Sequence, residues 1–264
     1  MQSRPYSYLF EISYFGSRYK GWAPQVNQPT VQRQLERVIK YVLGHDEFTL
    51  IGSSRTDSGV SCRHGYFQLF FKQELEIIPF GQSLNEFLPP DIRVISKGEV
   101  DPKFNLIQAV KSKTYHYYFS DSENFDALEA AHVAWFQGPL DQGKMNETCS
   151  LFLGEQNFLA FCKPNPNKAN YVREILGMKL SKIQEIGNIT FKSPVYVLQV
   201  EGTGFLHQQI RKMVTSLVRI GNGSWDFSEI TERLKNPEQP WEAIPPASAN
   251  GLILWKTEVD TPKI

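Results

Sequence analysis

A chain of 264 residues, 41% hydrophobic and 13% aromatic, is long enough for one large domain or two packed lobes with substantial cores. This composition excludes a disordered chain, which would need fewer apolar residues and more net charge. The 28 basic and 28 acidic residues give a formal net charge of zero. That balance counts against a nucleic-acid binder without excluding one, because a basic cleft can lie on an otherwise acidic body.

The cysteines and the apolar runs exclude further classes. Cys62, Cys149 and Cys162 are widely spaced and contain no Cys-x-x-Cys pair, so neither a disulfide framework nor a thiolate zinc site is expected. No apolar run approaches the roughly 20 residues that span a bilayer. The segment Met1–Tyr6 lacks the apolar core of a signal peptide. We therefore expect a soluble, cytoplasmic protein.

The first half of the chain predicts strands and helices in alternation. Apolar residues at every second position from Tyr8 to Tyr14 predict a strand. Helical spacing from Val31 to Leu43 predicts an amphipathic helix, with Thr30 as its N-cap and Gly44 as its stop. The remaining elements are a strand through Phe67, Leu69 and Phe71, a short helix from Phe80 to Leu88, and strands near 92–100 and 110–120.

The second half repeats this order of elements. The pattern predicts a helix from Met145 to Leu153, a helix from Leu206 to Val218, strands near 173–183, 188–192 and 195–201, and a turn at Gly187–Asn188. Such patterns predict an α+β protein with antiparallel sheets and helices on one face of each. We expect two pseudo-symmetric lobes, ferredoxin-like or RRM-like, with a cleft between them. The N-terminal lobe would comprise residues 1–120 and the C-terminal lobe residues 121–264.

The most unusual segment runs from Gly52 to Val60 and reads GSSRTDSGV. Its glycines permit sharp turns and a close backbone approach to a ligand. Arg55 lies two positions from Asp57, near enough to keep that carboxylate ionised, and an ionised carboxylate can serve as a nucleophile. Spacing alone favours a simpler alternative, a polar turn in which Asp57 makes an Asx hydrogen bond.

The same segment resembles the signature Gly-Arg-Thr-Asp-x-Gly-Val of the tRNA pseudouridine synthase A (TruA) family, whose aspartate is catalytic. Arg55, Thr56, Asp57, Gly59 and Val60 match it. Further segments resemble the family in its order: Tyr14–Trp22 with Thr30–Gln32, Leu84–Asn85 with Leu88–Ile92, Lys113–Tyr117, Gly202–Val214 and Ala247–Leu252. Together they span almost the whole chain.

The resemblance implies three catalytic residues. Asp57 would be the nucleophile, Tyr115 the platform that holds an extruded uracil, and Arg211 the cation that neutralises and orients the aspartate. Without the family context, Tyr115 would be a core aromatic on a strand and Arg211 a solvated helix residue.

Other residues are expected to bind the substrate. The resemblance implies that Arg55 enters the RNA stack as the target base leaves. Trp22, Lys20 and Arg18 either anchor their loop or touch the RNA backbone. The remaining substrate-binding candidates from the matching motifs are Thr56, Gly59, Val60 and Leu252.

Several positions depart from the family pattern. Ser54 stands where the family has its first Gly, while Ser58, Ser61 and Cys62 replace the usual Ala and His-Ala around the signature. Ile107 occupies the place of a family arginine. The nucleophile, the tyrosine and the arginine are all retained, so these departures bear on substrate preference and efficiency.

The family implies isomerisation of uridine to pseudouridine in the anticodon stem-loop of tRNA, at positions 38–40, by a homodimer that needs no cofactor. A first alternative is a non-catalytic RNA-binding module built from ferredoxin-like lobes. A second is a hydrolase or transferase for a small substrate, with Asp57 as acid or nucleophile. That enzyme would need a second carboxylate or a His base near Asp57. The only local candidate, His64, lies at a strand start where a structural role is expected.

Overall fold

The structure, a computed structural model, describes residues 4–167, 169–187 and 189–261. The chain forms two compact units, one comprising Met1–Lys113 with Leu254–Ile264 and the other Thr114–Ile253. Met1–Ser3 of the N-terminal segment and Asn188 of the expected turn lie outside the described residues. Among those described, none of the helices combines the length and apolarity that crossing a bilayer requires.

The first unit is a sheet with two helices. Its elements in chain order are β1 (Tyr6–Tyr14), α1 (Val31–Leu43), β2 (Thr49–Gly52), β3 (Ser61–Phe71), α2 (Ile77–Phe87) and β4 (Ile92–Glu99), with a 3-10 turn at Gly16–Arg18. The strand β1 lies between β3 and β4 and is antiparallel to both, while β2 pairs antiparallel with β3. The strands and helices expected here are confirmed.

The alternation of β1 builds the core of this unit. Tyr8, Phe10 and Ile12 are buried, and the ring of Phe10 stacks on that of Phe67 with 5.0 Å between centroids. The helix α1 buries the four apolar residues Val31, Leu35, Val38 and Ile39. Their burial against the sheet, at about 25 cal/mol per Å² of apolar surface, is the main force that holds helix and sheet together.

The ends of α1 lie where the sequence predicts them. Thr30 occupies the N-cap position with an extended backbone, although its hydroxyl makes no capping hydrogen bond. Gly44 ends the helix at a φ of 77°, in the left-handed region that favours glycine, and its N–H donates to the carbonyl of Lys40.

The remaining elements lie mainly in the second unit, although most of the last strand belongs to the first. They are β5 (Val110–Ser120), β6 (Ala134–Trp135), α3 (Gln142–Cys149), β7 (Gly154–Asn157), β8 (Val172–Ile186), β9 (Ile189–Gly202), α4 (Gln209–Gly221), α5 (Phe227–Lys235) and β10 (Leu252–Val259), with 3-10 turns at Ala127–Ala131, Ser150–Phe152 and Leu159–Phe161. The strand order is β5–β9–β8–β7, and β8 is antiparallel to both of its neighbours β7 and β9. Both β5 and β10 cross the boundary between the units.

Three details differ from the sequence expectations. The strands expected at 188–192 and 195–201 are one strand, β9, because its register against β8 shifts between Ile183 and Glu185 and the chain continues past the irregularity. The helix expected from Met145 to Leu153 ends at Cys149 and continues only as a 3-10 turn. The helix α5 and the strand β10 were not expected.

The α+β class with mainly antiparallel pairing is confirmed. The units differ from the expected boundary near 120, since the first ends at Lys113 and includes the last strand of the chain. The reason is packing: β10 lies beside β3, and Val259 contacts the cluster of Leu9, Val100 and Leu106. The final strand thus completes the first unit.

Candidate active site

The loop that carries Asp57 joins β2 to β3 in the first unit. Asp57 is half-buried, Arg55 and Ser58 are exposed, and Val60 is buried. Gly59 has a φ of 80°, a conformation that glycine adopts at no steric cost. The N–H of Val60 donates to the carbonyl of Asp57, which closes a tight turn immediately after the carboxylate residue. The loop is therefore an ordered, hydrogen-bonded turn.

The backbone of this loop is held by the segment Gly16–Trp22. The N–H of Trp22 donates to the carbonyl of Thr56 at 3.2 Å, and the N–H of Gly59 donates to the carbonyl of Tyr19 at 3.1 Å. These hydrogen bonds grip the chain on both sides of Asp57. The two sequence motifs, 41 residues apart by number from Gly16 to Asp57, are thus parts of one local structure.

Two glycines of the holding segment allow this close approach. A Cβ atom on Gly21 would lie 2.6 Å from the carbonyl oxygen of Thr56, and Gly21 also has a φ of 93°. A Cβ atom on Gly16 would collide with the carbonyl of Val60. On the other side of the loop, Gly52 faces the indole of Trp22, which a Cβ atom would meet at 2.5 Å. The close approach at Gly52 is to Trp22, whereas the sequence predicted an approach to a ligand.

Hydrogen bonds made by side-chain hydroxyl groups also stabilise the Asp57 loop. The hydroxyls of Tyr14 and Thr56 are 2.8 Å apart in a buried hydrogen bond. The hydroxyl of Ser61 accepts from the N–H of Gly16 at 2.9 Å, which gives this departure from the family pattern a structural role. The hydroxyl of Ser54, the other nearby departure, is buried without a hydrogen-bond partner among the described residues.

The motif Leu88–Ile92 also contributes to this region. The side chain of Asp91 accepts a hydrogen bond from the hydroxyl of Tyr19 at 2.7 Å, and it forms an ion pair with Arg18 at 3.2 Å. Burial and the neighbouring carboxylate together raise the pKa of Tyr19, so the phenol stays protonated and keeps donating. Asp91 therefore anchors the segment that holds the Asp57 loop.

Among the residues that flank the loop, Trp22 has the environment of a loop anchor, whereas Lys20 and Arg55 are placed where they could contact RNA. Trp22 is 3% exposed and packs on Gly52, which favours the anchoring role. Lys20 and Arg55 are exposed, and no ion pair involving either is found among the described residues. Arg18 is exposed and paired with Asp91. Lys20 and Arg55 thus present their charges to solvent, where a polyanion could reach them.

Tyr115 lies on β5 in the second unit. It is buried at 7% exposure, and its ring meets that of Phe205 edge-to-face at 5.2 Å between centroids and 84° between planes. An aromatic edge-to-face pair is worth about 0.5–1.5 kcal/mol and fixes the orientation of both rings. Phe205 lies in the loop before α4, within the motif Gly202–Val214, and therefore sets the plane of Tyr115.

Arg211 lies in the first turns of α4 and is held by the backbone of a distant segment. Its Nε donates to the carbonyl of Ala247 at 2.6 Å, and the N–H of Ala247 donates back to the carbonyl of Arg211 at 3.1 Å. The hydroxyl of Thr215 donates to the carbonyl of Pro245 one turn further on. This reciprocal pairing fixes the guanidinium plane of Arg211.

The segment Ala247–Leu252 is fixed in turn by β5. The hydroxyl of Tyr117 donates to the carbonyl of Ser248 at 2.9 Å, and a Cβ atom on Gly251 would lie 2.5 Å from the carbonyl of Tyr118. Burial raises the pKa of the Tyr117 phenol, a shift that the charge of Arg211 opposes. Leu252 is buried at 4% exposure, where it packs within the unit.

Each unit thus gathers its own set of predicted residues. The first brings together Asp57, Arg55, Thr56, Gly59, Val60, Trp22 and Lys20 around one loop. The second carries Tyr115, Arg211 and Leu252 in the network of β5, α4 and the segment Ala247–Leu252.

Sequence reasoning missed several supporting residues. Gly21, Phe205 and Ala247 lie within the matched motifs, but no specific role was predicted for them. Their contacts are a close backbone approach, a ring contact and a hydrogen bond to a carbonyl group, which the residue type alone does not predict. Tyr14 was expected as a strand residue and as the start of a matched motif, with no role for its hydroxyl. Its polar tip on an otherwise apolar face was the available signal, since a buried tyrosine usually finds a hydrogen-bond partner.

The remaining polar groups near β3 have structural partners. His64 lies 2.7 Å from Glu11, which also pairs with Lys97 at 2.9 Å. The described residues contain no cluster of three or more His, Cys, Asp or Glu side chains that could hold a metal ion. Ile107, in the place of the family arginine, is 61% exposed, and its N–H donates to the side chain of Asn105.

Comparisons with known proteins agree on one family. Residues 148–260 match the family model described as tRNA pseudouridine synthase. The tRNA pseudouridine synthase A of Francisella tularensis subsp. novicida is 31% identical over 251 residues, covering 93% of this chain and 91% of the relative. The enzymes of the same name from Bacillus pumilus and Clostridium kluyveri are 31% and 30% identical and cover 94% and 93% of this chain, with 97% and 96% of their own length covered.

A search of solved structures found a crystal structure of a Cbf5-Nop10-Gar1 complex. The match covers 80% of this chain and 54% of that chain at 10% identity, with a TM-score of 0.34. A likeness at that level supports no inference about this chain.

Proposed function

Because this chain belongs to the tRNA pseudouridine synthase A family, we propose that it isomerises uridine to pseudouridine in tRNA with Asp57 as its nucleophile. The observation that carries the proposal is the setting of the signature residues Arg55, Thr56 and Asp57. They lie in a turn whose backbone is gripped on both sides of the aspartate by Tyr19 and Trp22. A nucleophile must be held close to its reacting geometry, and this turn supplies the rigidity.

The reaction rearranges bonds within one nucleotide. The N1–C1′ glycosidic bond breaks, the uracil rotates, and a C5–C1′ bond forms while the proton on C5 is released and N1 is left protonated. No electron or external group is transferred, so no cofactor is needed for the balance. Asp57 attacks the flipped-out nucleotide, either at C1′ or at C6, and is regenerated when the new bond has formed.

Tyr115 and Arg211 supply binding and charge for the same substrate. The flat ring of Tyr115, oriented by Phe205, stacks on the extruded uracil, because bases taken out of a helix are commonly read against aromatic faces. Arg211 offers a guanidinium whose plane is fixed by Ala247, suited to a carboxylate or a phosphate. A fixed plane lowers the entropy lost when the substrate binds.

Arg55 completes the proposed constellation. It is exposed beside the nucleophile, and we assign it to the place in the RNA stack that the target base vacates. Ejecting a base costs a few kcal/mol of stacking and pairing energy, part of which an inserted guanidinium restores. Thr56, Gly59 and Val60 then act by shaping the turn, and Lys20 acts by charge.

Finer properties of the family extend this proposal. We propose that the targets are uridines of the anticodon stem-loop, that the enzyme acts as a homodimer, and that it works in the cytoplasm. These assignments are what the family resemblance of the sequence motifs implies. A non-catalytic RNA-binding module is not favoured, since it would need neither Asp57 nor Arg211.

The proposal is tested by mapping pseudouridine in cellular RNA with and without the gene. Loss of pseudouridine at neighbouring anticodon-arm positions, restored by the wild-type gene, is the expected result. Unchanged tRNA with pseudouridine lost from another RNA would overturn the substrate assignment. Unchanged pseudouridine in all RNA would overturn the activity itself.

A further inference from the structure

A strip of basic side chains runs along α1 in a protein that is neutral as a whole. Arg33, Arg37 and Lys40 are exposed on one side of this helix. Successive residues of the strip are four and three positions apart, so they lie on neighbouring turns of one helix face. At 1.5 Å of rise per residue the three charges span about 10 Å. Such a regular row on one face is the electrostatic footprint expected of polyanion binding.

The strip continues towards the nucleophile loop. Arg33 donates from Nη1 to the carbonyl of Gln25 at 3.2 Å, and the side chain of Gln25 donates to the carbonyl of Lys20 at 2.7 Å. Lys20 is exposed and is followed, two positions on, by Trp22, whose N–H holds the carbonyl of Thr56 next to Asp57. Lys20, Arg33, Arg37 and Lys40, here called the α1 basic strip, therefore begin beside the nucleophile loop.

A groove lies along the same helix. Its volume is about 640 Å³, and it is lined by Arg33, Arg37 and Lys40 on one side and by Phe48, Thr49 and Leu50 on the other. The basic side chains that line it are exposed, and arginine and lysine commonly lie with their stems along apolar surface and their charged heads in solvent.

The acidic residues of this face leave a positive excess. Lys40 is paired with Asp46 at 2.7 Å, but both are well exposed, so the pair is solvent-screened. Glu36, which also lines the groove, accepts a hydrogen bond from Gln32. Among the described residues neither Arg33 nor Arg37 takes part in an ion pair. Both arginines thus keep their full charge for a partner.

We propose that the α1 basic strip binds the phosphodiester backbone of the tRNA substrate, beyond the nucleotide that reaches Asp57. The inference rests on the proposed tRNA substrate and not on the chemistry of Asp57. An RNA carries one negative charge per nucleotide. The helical part of the strip, Arg33, Arg37 and Lys40, spans about 10 Å and can therefore face more than one phosphate of a strand. Contacts of this kind position the RNA without reading its sequence.

The test is the affinity for full-length tRNA as a function of salt. The double variant Arg33→Gln with Arg37→Gln removes two charges while keeping residues of similar helix propensity. Its matched control, Lys144→Gln with Lys235→Gln, removes two charges from exposed positions on the helices α3 and α5. Thermal unfolding of all proteins checks that the fold is retained.

The expected result is a tRNA Kd raised about tenfold at low salt, with the slope of log Kd against log salt flatter by about 2. The rate at saturating tRNA should stay unchanged, and the control should bind like wild type. A double variant that binds with the Kd and slope of the control would overturn the proposal. Failure of the wild-type protein to bind tRNA would instead overturn the proposed function.

Discussion

The hydroxyls of Tyr14 and Thr56 lie 2.8 Å apart in a buried hydrogen bond that ties β1 to the residue before Asp57. Both side chains are less than a tenth exposed. A net hydrogen bond in such a place contributes about 0.5–1.5 kcal/mol. Because Thr56 directly precedes Asp57, this hydrogen bond stabilises the backbone that carries the carboxylate.

Removing either hydroxyl should therefore affect turnover more than binding. We expect Tyr14→Phe and Thr56→Val each to lower kcat by about tenfold, because a small displacement of a nucleophile is costly, while KM for tRNA changes little. Steady-state kinetics and urea unfolding measure both effects. Tyr41→Phe, at an exposed tyrosine on α1, is the control. Equal kcat in Tyr14→Phe and wild type would remove the positioning role.

Gly21 offers a test of the close approach between the two loops. Gly21→Ala introduces a Cβ atom 2.6 Å from the Thr56 carbonyl at a φ of 93°. Gly44→Ala shares the left-handed strain at a φ of 77° but meets nothing within 4 Å. Each alanine should cost about 1–2 kcal/mol of stability from the backbone strain. Only Gly21→Ala should also reduce kcat, by on the order of tenfold or more. Equal activity of the two variants would contradict the tight contact.

Arg211 should not be replaceable by lysine. Lysine lacks the planar fork that donates to Ala247 and presents a second edge to a ligand. We expect Arg211→Lys to lower kcat by on the order of a hundredfold, a loss comparable to that of one well-placed donor in other active sites. Arg219→Lys, on the same helix, is the matched control and should retain activity. Near-normal kcat in Arg211→Lys would show that the fixed guanidinium plane is not needed.

The pairing of Glu11 with His64 and Lys97 predicts a pH dependence of stability. Burial alone would raise the pKa of Glu11, but hydrogen bonds and charges from His64 and Lys97 outweigh it and lower the pKa. A carboxyl with a lowered folded-state pKa contributes stability above its unfolded pKa, near 4.5, and loses it as the pH falls through the folded value. Glu11→Gln should thus cost about 1 kcal/mol or less at neutral pH.

That cost should shrink as the pH falls below 4.5 and vanish in stronger acid. Urea unfolding of wild type and Glu11→Gln across this range measures it, with Glu258→Gln at an exposed pair as the control. A difference that stays constant into acid would show that the ionised carboxylate is not the stabilising form.

The sequence predicts the strands and helices around the site better than it predicts the contacts that hold the site residues in place. The alternation of β1 and the helical spacing of α1 follow from which residues must be buried, and both elements have the expected positions. The grip of Tyr19 and Trp22 on the Asp57 loop uses backbone groups, which every residue possesses, so no residue type reveals it. The pairing of Arg211 with Ala247 is hidden for the same reason.

The missed elements have a physical cause as well. The shift in register within β9 places extra residues opposite Ile183–Glu185, an adjustment that period-two alternation cannot foresee. The strand β10 pairs with β3, which is distant in the sequence, and a pattern within Leu252–Val259 does not reveal such a pairing. Only the family resemblance suggested roles for Tyr115 and Arg211, and these remain proposals, since a tyrosine on a strand and an arginine on a helix are each ordinary in themselves.

In the proposed reaction Asp57 is the residue that attacks the uridine. Single-turnover pseudouridine formation with Asp57→Asn, using excess enzyme on a purified tRNA, tests this role most directly, and the matched variant Asp91→Asn tests the anchor beside it. The asparagine preserves size and tRNA binding but is no nucleophile. Asp57→Asn should bind tRNA like wild type and form no detectable pseudouridine, while Asp91→Asn should show a reduced but measurable rate. Pseudouridine formed by Asp57→Asn at the wild-type rate would contradict the role of Asp57 as nucleophile.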